Sequence, residues 1–234
     1  MLAGTVDTVL LDIDGVLCES QQPVTLEMQS VLQRLARHKQ VYFVTGNTYT
    51  KSVDLLNGPI AMYSGIFCNT ADELRTMRGK LVWSDKETPP LPKTLENTLR
   101  VIYQPSAPNS IEWRTPRFMN FSKIGRFATQ DERKSHDATW REGVAEFLEW
   151  RYPEVDVAIG GSISIDIYSK GADKSRACKW LNDRGHKFAF IGDKTEKGGN
   201  DFPVKTYCEK NTSNLCFTSQ NPSHTIQIVE ELLR

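Results

Sequence analysis

Val9-Leu10-Leu11-Asp12-Ile13-Asp14-Gly15-Val16-Leu17 sets the reading of the whole chain. A short unbroken apolar run predicts a strand buried on both faces, the central strand of a parallel sheet. Open parallel sheets bind ligands beyond the carboxyl ends of their strands, at a topological switch point. Asp12 and Asp14 would stand there. Two crowded carboxylates repel one another, and an oxygen-seeking cation such as Mg2+ would relieve the repulsion. Gly15 lets the chain turn sharply. Taken alone, the pattern fits a solvated acidic turn equally well.

Downstream, Thr25 is placed to cap a helix with Glu27 in its first turn and Met28, Val31, Leu32 and Leu35 at helical spacing. Gln40–Val44 predicts a second buried strand, ending in Thr45-Gly46-Asn47-Thr48 and a helix over Tyr49–Leu56. This β-α-β-α rhythm is the mark of a parallel sheet. The Thr45 hydroxyl and nearby helix-start amides could cradle a phosphate beside Asp12; an ordinary strand-to-helix turn is the plainer reading. A third strand near Ala61–Phe67 and a hairpin around Leu74–Met77 and Lys80–Trp83 follow.

The composition then shifts. Thr88-Pro89-Pro90-Leu91-Pro92 predicts a boundary. Strands at Ser110–Arg114, Phe118–Phe121, Val155–Ile159 and Ile163–Tyr168, with an amphipathic helix over Asp137–Trp150, predict a helix-plus-antiparallel-sheet module. Along the last strand Ile163, Ile165 and Ile167 share one face, and Ser164, Asp166 and Tyr168 the other. A hydroxyl and a carboxylate there could bind sugar hydroxyls or simply face water. Arg114, Arg117, Lys123, Arg126 and Arg133 gather cations that could fork a phosphate, or that are scattered on the surface. Past Ser169 the β-α rhythm returns. Lys174 precedes a helix, and Lys187–Ile191 leads to Gly192-Asp193 and a glycine-rich loop ending at Asp201. A final helix starts at Ser223 and buries Ile226, Val229 and Leu233.

The 234 residues carry 29 basic and 29 acidic side chains, a formal net charge of zero. That balance argues against a dedicated binder of nucleic acid or membrane surfaces. Five cysteines without metal-type spacing suit a reducing compartment. With no apolar run long enough for a bilayer and no signal-peptide layout, the expectation is a soluble cytoplasmic protein.

Asp12/Asp14, Thr45, Lys174 and Asp193/Asp201 follow in an order that resembles the haloacid dehalogenase superfamily of phosphotransferases. The similarity narrows further. Asp12–Gly15, Asn120–Arg126, Gln130–Arg133, Ile159–Asp166 and Ile191–Asp201 look like segments of the eukaryotic-type phosphomannomutases. The resemblance implies a doubly wound, Rossmann-type α/β core over residues 1–82 and 169–234, with an inserted α+β cap domain over 83–168.

It also implies roles. Asp12 would be the nucleophile and Asp14 the general acid and base. Asp12, Asp14 and Asp193 would hold Mg2+, with Asp201 close behind, and Lys174 and Thr45 would support the transferred phosphoryl group. Arg114, Arg126 and Arg133 would grip the substrate phosphate, with Asn120 assisting, and Ser164 and Asp166 would meet sugar hydroxyls. A hexose 1,6-bisphosphate activator and a homodimer through the cap are further implications. The chain departs from the family pattern at Gln21, where the family has a substrate-contacting arginine. It departs again at Thr45-Gly46-Asn47-Thr48 and after Asp201. Three readings result: conversion of mannose 6-phosphate to mannose 1-phosphate, hydrolysis of a sugar phosphate or nucleoside monophosphate, and non-catalytic binding on the same fold.

Overall fold

A computed structural model describes residues 6–20, 22–105, 107–125, 127–159 and 162–234. Gln21, Arg126 and the Gly160-Gly161 pair lie outside the described residues. The chain forms two compact units. The first holds residues 1–85, 174–197 and 201–234, and the second holds 86–173 and 198–200.

The first unit is built on a seven-stranded sheet. Along the chain come β1 (Thr8–Leu11), α1 (Leu26–Ala36), β2 (Gln40–Val44), α2 (Tyr49–Leu56), β3 (Gly65–Cys68), β4 (Glu73–Arg75) and β5 (Leu81–Ser84). The second unit contributes α3 (Leu95–Tyr103), β6 (Ile111–Thr115), β7 (Phe118–Phe121), α4 (Gln130–Ser135), α5 (Trp140–Arg151), β8 (Val155–Ala158) and β9 (Ile165–Ser169). The chain then returns with α6 (Ser175–Asn182), β10 (Phe188–Gly192), α7 (Phe202–Lys210), β11 (Leu215–Thr218) and α8 (Pro222–Leu233).

The large sheet runs β11-β10-β1-β2-β3-β4-β5. Strands β11 to β3 are parallel, and β4 and β5 add an antiparallel edge. Strand β1 is central and buried throughout, as its apolar run predicts. Alternation splits its side chains between two cores. Val9 and Leu11 join Met28, Leu32 and Leu35 of α1 and Ile228, Val229 and Leu232 of α8. Leu10 joins Ala177, Cys178 and Leu181 of α6 and Val204 and Cys208 of α7. Burial of each such Leu or Phe is worth about 1.5–3 kcal/mol relative to exposure. Helices on both faces therefore pin β1, and its carboxyl end is held between β10 and β2.

Beyond β3 the backbone does something the sequence gives little sign of. Asn69, Thr70 and Ala71 adopt φ of 51°, 58° and 58°, three successive left-handed residues, none of them glycine. Each costs roughly 1–2 kcal/mol against a right-handed conformation. The turn is tied back to the neighbouring loop, with Asn69 N donating to Asn47 O (2.9 Å) and Thr70 N to Thr45 O (2.9 Å).

The second unit carries an antiparallel sheet in the order β6-β7-β9-β8. Met119, Phe121, Ile165 and Ile167 pack on one face with Leu95 and Leu99 of α3 and Val144 and Leu148 of α5. Four elements were not legible in the sequence. Helix α3 follows a proline-rich stretch that reads as linker, and its exposed Val101 and Ile102 blur the apolar stripe around Leu95 and Leu99. Helix α4 spans six residues, and β11 four. Helix α7 opens on Phe202-Pro203, with proline tolerated because first-turn amides need no intrahelical acceptor. In α8 the buried stripe is Thr225, Ile228, Val229 and Leu232, so the expected Ile226 and Leu233 lie at its margins. Tyr168, expected on a polar strand face, is buried against Phe118, Ala158 and Ala172. Among the described residues, no helix is long and apolar enough to cross a membrane.

Candidate active site

The carboxyl ends of β1 and β10 deliver the acidic side chains to one place. Asp12 continues the ladder of β1, its amide donating to Ile191 O at 3.0 Å. Its carboxylate is buried; Oδ1 accepts from Ile13 N (2.8 Å) and Oδ2 from Lys174 Nζ (2.7 Å). Lys174 caps α6 and is 1% exposed; it also donates to Asp201 Oδ1 at 2.7 Å. Asp201 caps α7, and its Oδ2 accepts from the amides of Asp193 (3.1 Å) and Lys194 (3.2 Å). One ammonium thus bridges two buried carboxylates, and a third, Asp193, stands beside them.

Two glycines make the approach possible. Gly15 has φ of +80°, and a Cβ there would fall on Asp193 Oδ2. At Gly192 a Cβ would meet Asp201 Oδ2 and the Phe190 ring. A side chain at either position would drive the acidic groups apart.

Ligand oxygens of Asp12, Asp193 and Asp201 lie within 4.8 Å of one another. Burial pushes the Asp12 carboxyl above the ordinary carboxylate range; Lys174 opposes the rise, and Asp201 and Asp193 add to it. Asp193 is also raised, first by burial and then by Asp201. For Lys174 burial alone would lower the pKa, but Asp12 and Asp201 outweigh it and hold the ammonium protonated well above its usual range. Three carboxylates against one ammonium leave an excess of negative charge in a buried, all-oxygen donor set. That chemistry suits a hard cation such as Mg2+.

Asp14 departs from the expected metal set. Its carboxylate accepts from Asn47 Nδ2 at 2.6 Å and is not among the three that converge. Thr45 is buried at the end of β2, its Oγ1 accepting from Asn47 N at 3.1 Å. Asn47 lies in the Thr45–Thr48 turn, where a single asparagine carries no distinct signal of a role in the sequence. Arg176 was missed too, its signal being a second cation two residues after Lys174 in a helix with an apolar face.

The second unit gathers some of its expected residues on one sheet face. Glu112, Asn120 and Asp166 are direct cross-strand neighbours on β6, β7 and β9. Asn120 Nδ2 donates to Asp166 Oδ1 at 2.7 Å. The Arg114 guanidinium lies 5.3 Å from the centre of the Phe118 ring, with Glu112 Oε2 at 3.5 Å. Ser164 sits half-buried just before β9. Arg133 donates from Nε to Ala128 O at 2.9 Å within its own segment. Arg126 and Gln21 lie outside the described residues.

The fold has close counterparts among solved structures. A trehalose-6-phosphate phosphatase C-terminal domain from C. albicans superposes with a TM-score of 0.66 at 13% identity, over 99% of this chain and 95% of that one. A haloacid dehalogenase-like hydrolase from B. subtilis gives 0.65 at 12% identity, over 97% and 99%. These likenesses establish the haloacid dehalogenase-type fold. By sequence, the phosphomannomutase of Saccharomyces cerevisiae is 28% identical over 96% of this chain and 93% of its own length. That of Oryza sativa subsp. indica is 29% identical over 83% and 84%. The family model described as eukaryotic phosphomannomutase matches residues 99–234, more than half of the chain and reaching from α3 through Lys174, Asp193 and Asp201 to the last helix. The chain belongs to the eukaryotic phosphomannomutase family.

Proposed function

We propose that the protein is an Mg2+-dependent phosphotransferase that moves a phosphoryl group on a hexose monophosphate through an aspartyl-phosphate at Asp12, in the manner of a phosphomannomutase. The observation that carries this reading is the convergence of Asp12, Lys174, Asp193 and Asp201 at the carboxyl end of the central strands, in a chain of that family. A carboxylate approaching a phosphate dianion meets charge repulsion, so cationic groups must offset it. Lys174 supplies one fixed positive charge. Asp12 and Asp193 would hold the Mg2+, with Asp201 orienting Lys174 and the Asp193 and Lys194 amides. The metal, when bound, would supply the remaining charge compensation and favour the ionised form of Asp12.

Asp12 would then attack phosphorus, and the covalent aspartyl-phosphate would split one hard transfer into two easier steps. Asp14, two residues on, would protonate the leaving oxygen and later take the proton of the acceptor. In the second unit, Arg114, Asn120, Ser164 and Asp166 are proposed to bind phosphate and sugar hydroxyls, with Arg126 and Arg133 contributing. A hexose 1,6-bisphosphate activator, a homodimer through the inserted unit and a cytoplasmic location belong to the same reading.

A second reading keeps the same nucleophile but gives the phosphoryl group to water. Gln21 in place of the family's arginine and the Thr45-Gly46-Asn47-Thr48 turn favour it. Phosphorus NMR separates the two. With Mg2+ and mannose 1-phosphate, mannose 6-phosphate appearing only with a trace of glucose 1,6-bisphosphate identifies the mutase. Inorganic phosphate with or without the bisphosphate identifies the phosphatase, and no change in either sample refutes the mannose assignment.

A further inference from the structure

The strained turn at Asn69–Ala71 is held by a charged cluster that the proposed chemistry does not use. Arg176, in the first turn of α6, is buried. Its guanidinium donates from one nitrogen to Asp85 Oδ2 (2.6 Å) and Asp72 Oδ1 (3.1 Å), and from the other to Thr70 O (2.8 Å). Asp72 and Asp85 are buried as well, and Asp85 N donates to Asp72 O at 2.9 Å. Asp85 is where the chain leaves the first unit, and Lys174, two residues before Arg176, is where it re-enters.

From the turn, the contacts run toward the reacting groups. Asn69 N and Thr70 N bond the carbonyls of Asn47 and Thr45, and Thr45 N bonds Phe67 O. Thr45 Oγ1 accepts from Asn47 N, and Asn47 Nδ2 holds Asp14 Oδ2. Backbone in a sparsely populated conformation persists only where its surroundings over-determine it. Here the surroundings are the backbone bonds to Asn47 and Thr45 together with one planar fork of fixed donors, whose geometry an ammonium reproduces only in part.

We propose that Arg176 is a positioning residue for the reaction: with Asp72 and Asp85 it clamps the left-handed Asn69–Ala71 turn, which fixes Asn47, and Asn47 fixes the Asp14 carboxylate. The inference rests on the reading of Asp14 as the proton-transfer group. It makes the opening of α6 a two-headed element, with Lys174 serving Asp12 and Arg176 serving Asp14 through the turn. Losing the clamp is expected to leave the Asp12–Lys174–Asp201 cluster in place, because Ile13 N, the Lys174 ammonium and the Asp193 and Lys194 amides hold its carboxylates.

The test compares Arg176→Met, Arg176→Lys and Asp85→Asn with the unaltered protein. Amide exchange at Asn69 and Thr70 is followed by hydrogen–deuterium exchange, Mg2+ affinity by calorimetry with the metal alone, and kcat and KM with mannose 1-phosphate. The methionine variant is expected to exchange the two amides at least about tenfold faster and to lose about 10–100-fold in kcat, the scale of a small misplacement of a catalytic group. Mg2+ affinity and KM stay within about twofold. The lysine variant recovers part of both losses. Unchanged exchange, unchanged kcat, or a fall in Mg2+ affinity that tracks kcat overturns the clamp. If Arg176→Met does not fold, Asp85→Asn carries the same comparison, since Asp72 and Thr70 still engage the fork. An unaltered protein that turns over no phosphomonoester refutes the functional reading instead; exchange at Asn69 and Thr70 then decides the clamp by itself.

Discussion

Asp12 and Asp166 are both carboxylates held against a sheet, and their surroundings differ in kind. Asp12 stands at a strand end, where it meets a buried ammonium, a backbone amide and two further carboxylates. Asp166 lies within a strand, where the neutral amide of Asn120 donates to it from the next strand. Strand ends expose backbone amides and open helices, so charge there can be fixed by main chain and cap residues. A strand middle has already spent its amides on the ladder, leaving side chains alone to organise the face. Among the described residues, Asn120 Oδ1 and Ser122 Oγ of the second unit are buried without a hydrogen-bond partner. The first region is preorganised for charge; the second retains hydrogen-bonding capacity.

The sharpest way to break this contrast is at the nucleophile. Asp12→Asn is expected to lower phosphoryl transfer by about 10^4-fold or more, as removal of a covalent nucleophile does, with the fold retained by circular dichroism. Residual transfer near the original rate would remove Asp12 from the chemistry.

Next in size is the ammonium. Lys174→Met leaves two buried carboxylates without their shared cation, and breaking a buried pair costs about 3–5 kcal/mol. Urea unfolding measures it, and a loss below about 1 kcal/mol, the scale of an exposed pair, would mean that water already screens the cluster.

The excess negative charge gives a metal and pH signature. Asp12 and Asp193 have folded pKa values raised above their unfolded values near 4. Such groups contribute stability that is complete below the unfolded pKa and is lost as pH rises through the folded one. Chelated protein is therefore expected to lose stability as the pH climbs from about 4 through the raised range. Mg2+ at a hundredfold excess over its Kd should return about 2.7 kcal/mol. Asp193→Asn is expected to flatten the pH dependence and abolish the Mg2+ response in the same thermal scans. A variant that still responds to Mg2+ as the parent does would place the metal elsewhere.

The smallest expected effect lies in the second unit. Asn120→Ala removes a hydrogen bond to a charged group, worth about 1.5–3 kcal/mol, and should raise KM roughly tenfold or more while leaving Mg2+ affinity unchanged. Equal losses in both quantities would erase the distinction between the two regions.

The sequence by itself determined the central strand, because the unbroken apolar run Val9-Leu10-Leu11 ahead of two aspartates fits little else in a parallel sheet. It also determined the order Asp12, Thr45, Lys174 and Asp193, since each stands next to a strong strand or helix signal, and placed Asp201 at the end of the glycine-rich loop that follows. It missed α3, whose apolar stripe is diluted by exposed Val101 and Ile102, and α7, which hides behind Phe202-Pro203. Only the tertiary structure decided which carboxylates meet. Asp14 is nearer to Asp12 in sequence than Asp193 is, yet the parallel pairing of β1 with β10 brings Asp193 and Asp201 to Asp12 and leaves the Asp14 carboxylate on Asn47. The same holds for Arg176, whose partners Asp72 and Asp85 lie 104 and 91 residues away in the chain. Local pattern records which residues end a strand; which ends become neighbours is set by sheet order, and sheet order is a property of packing.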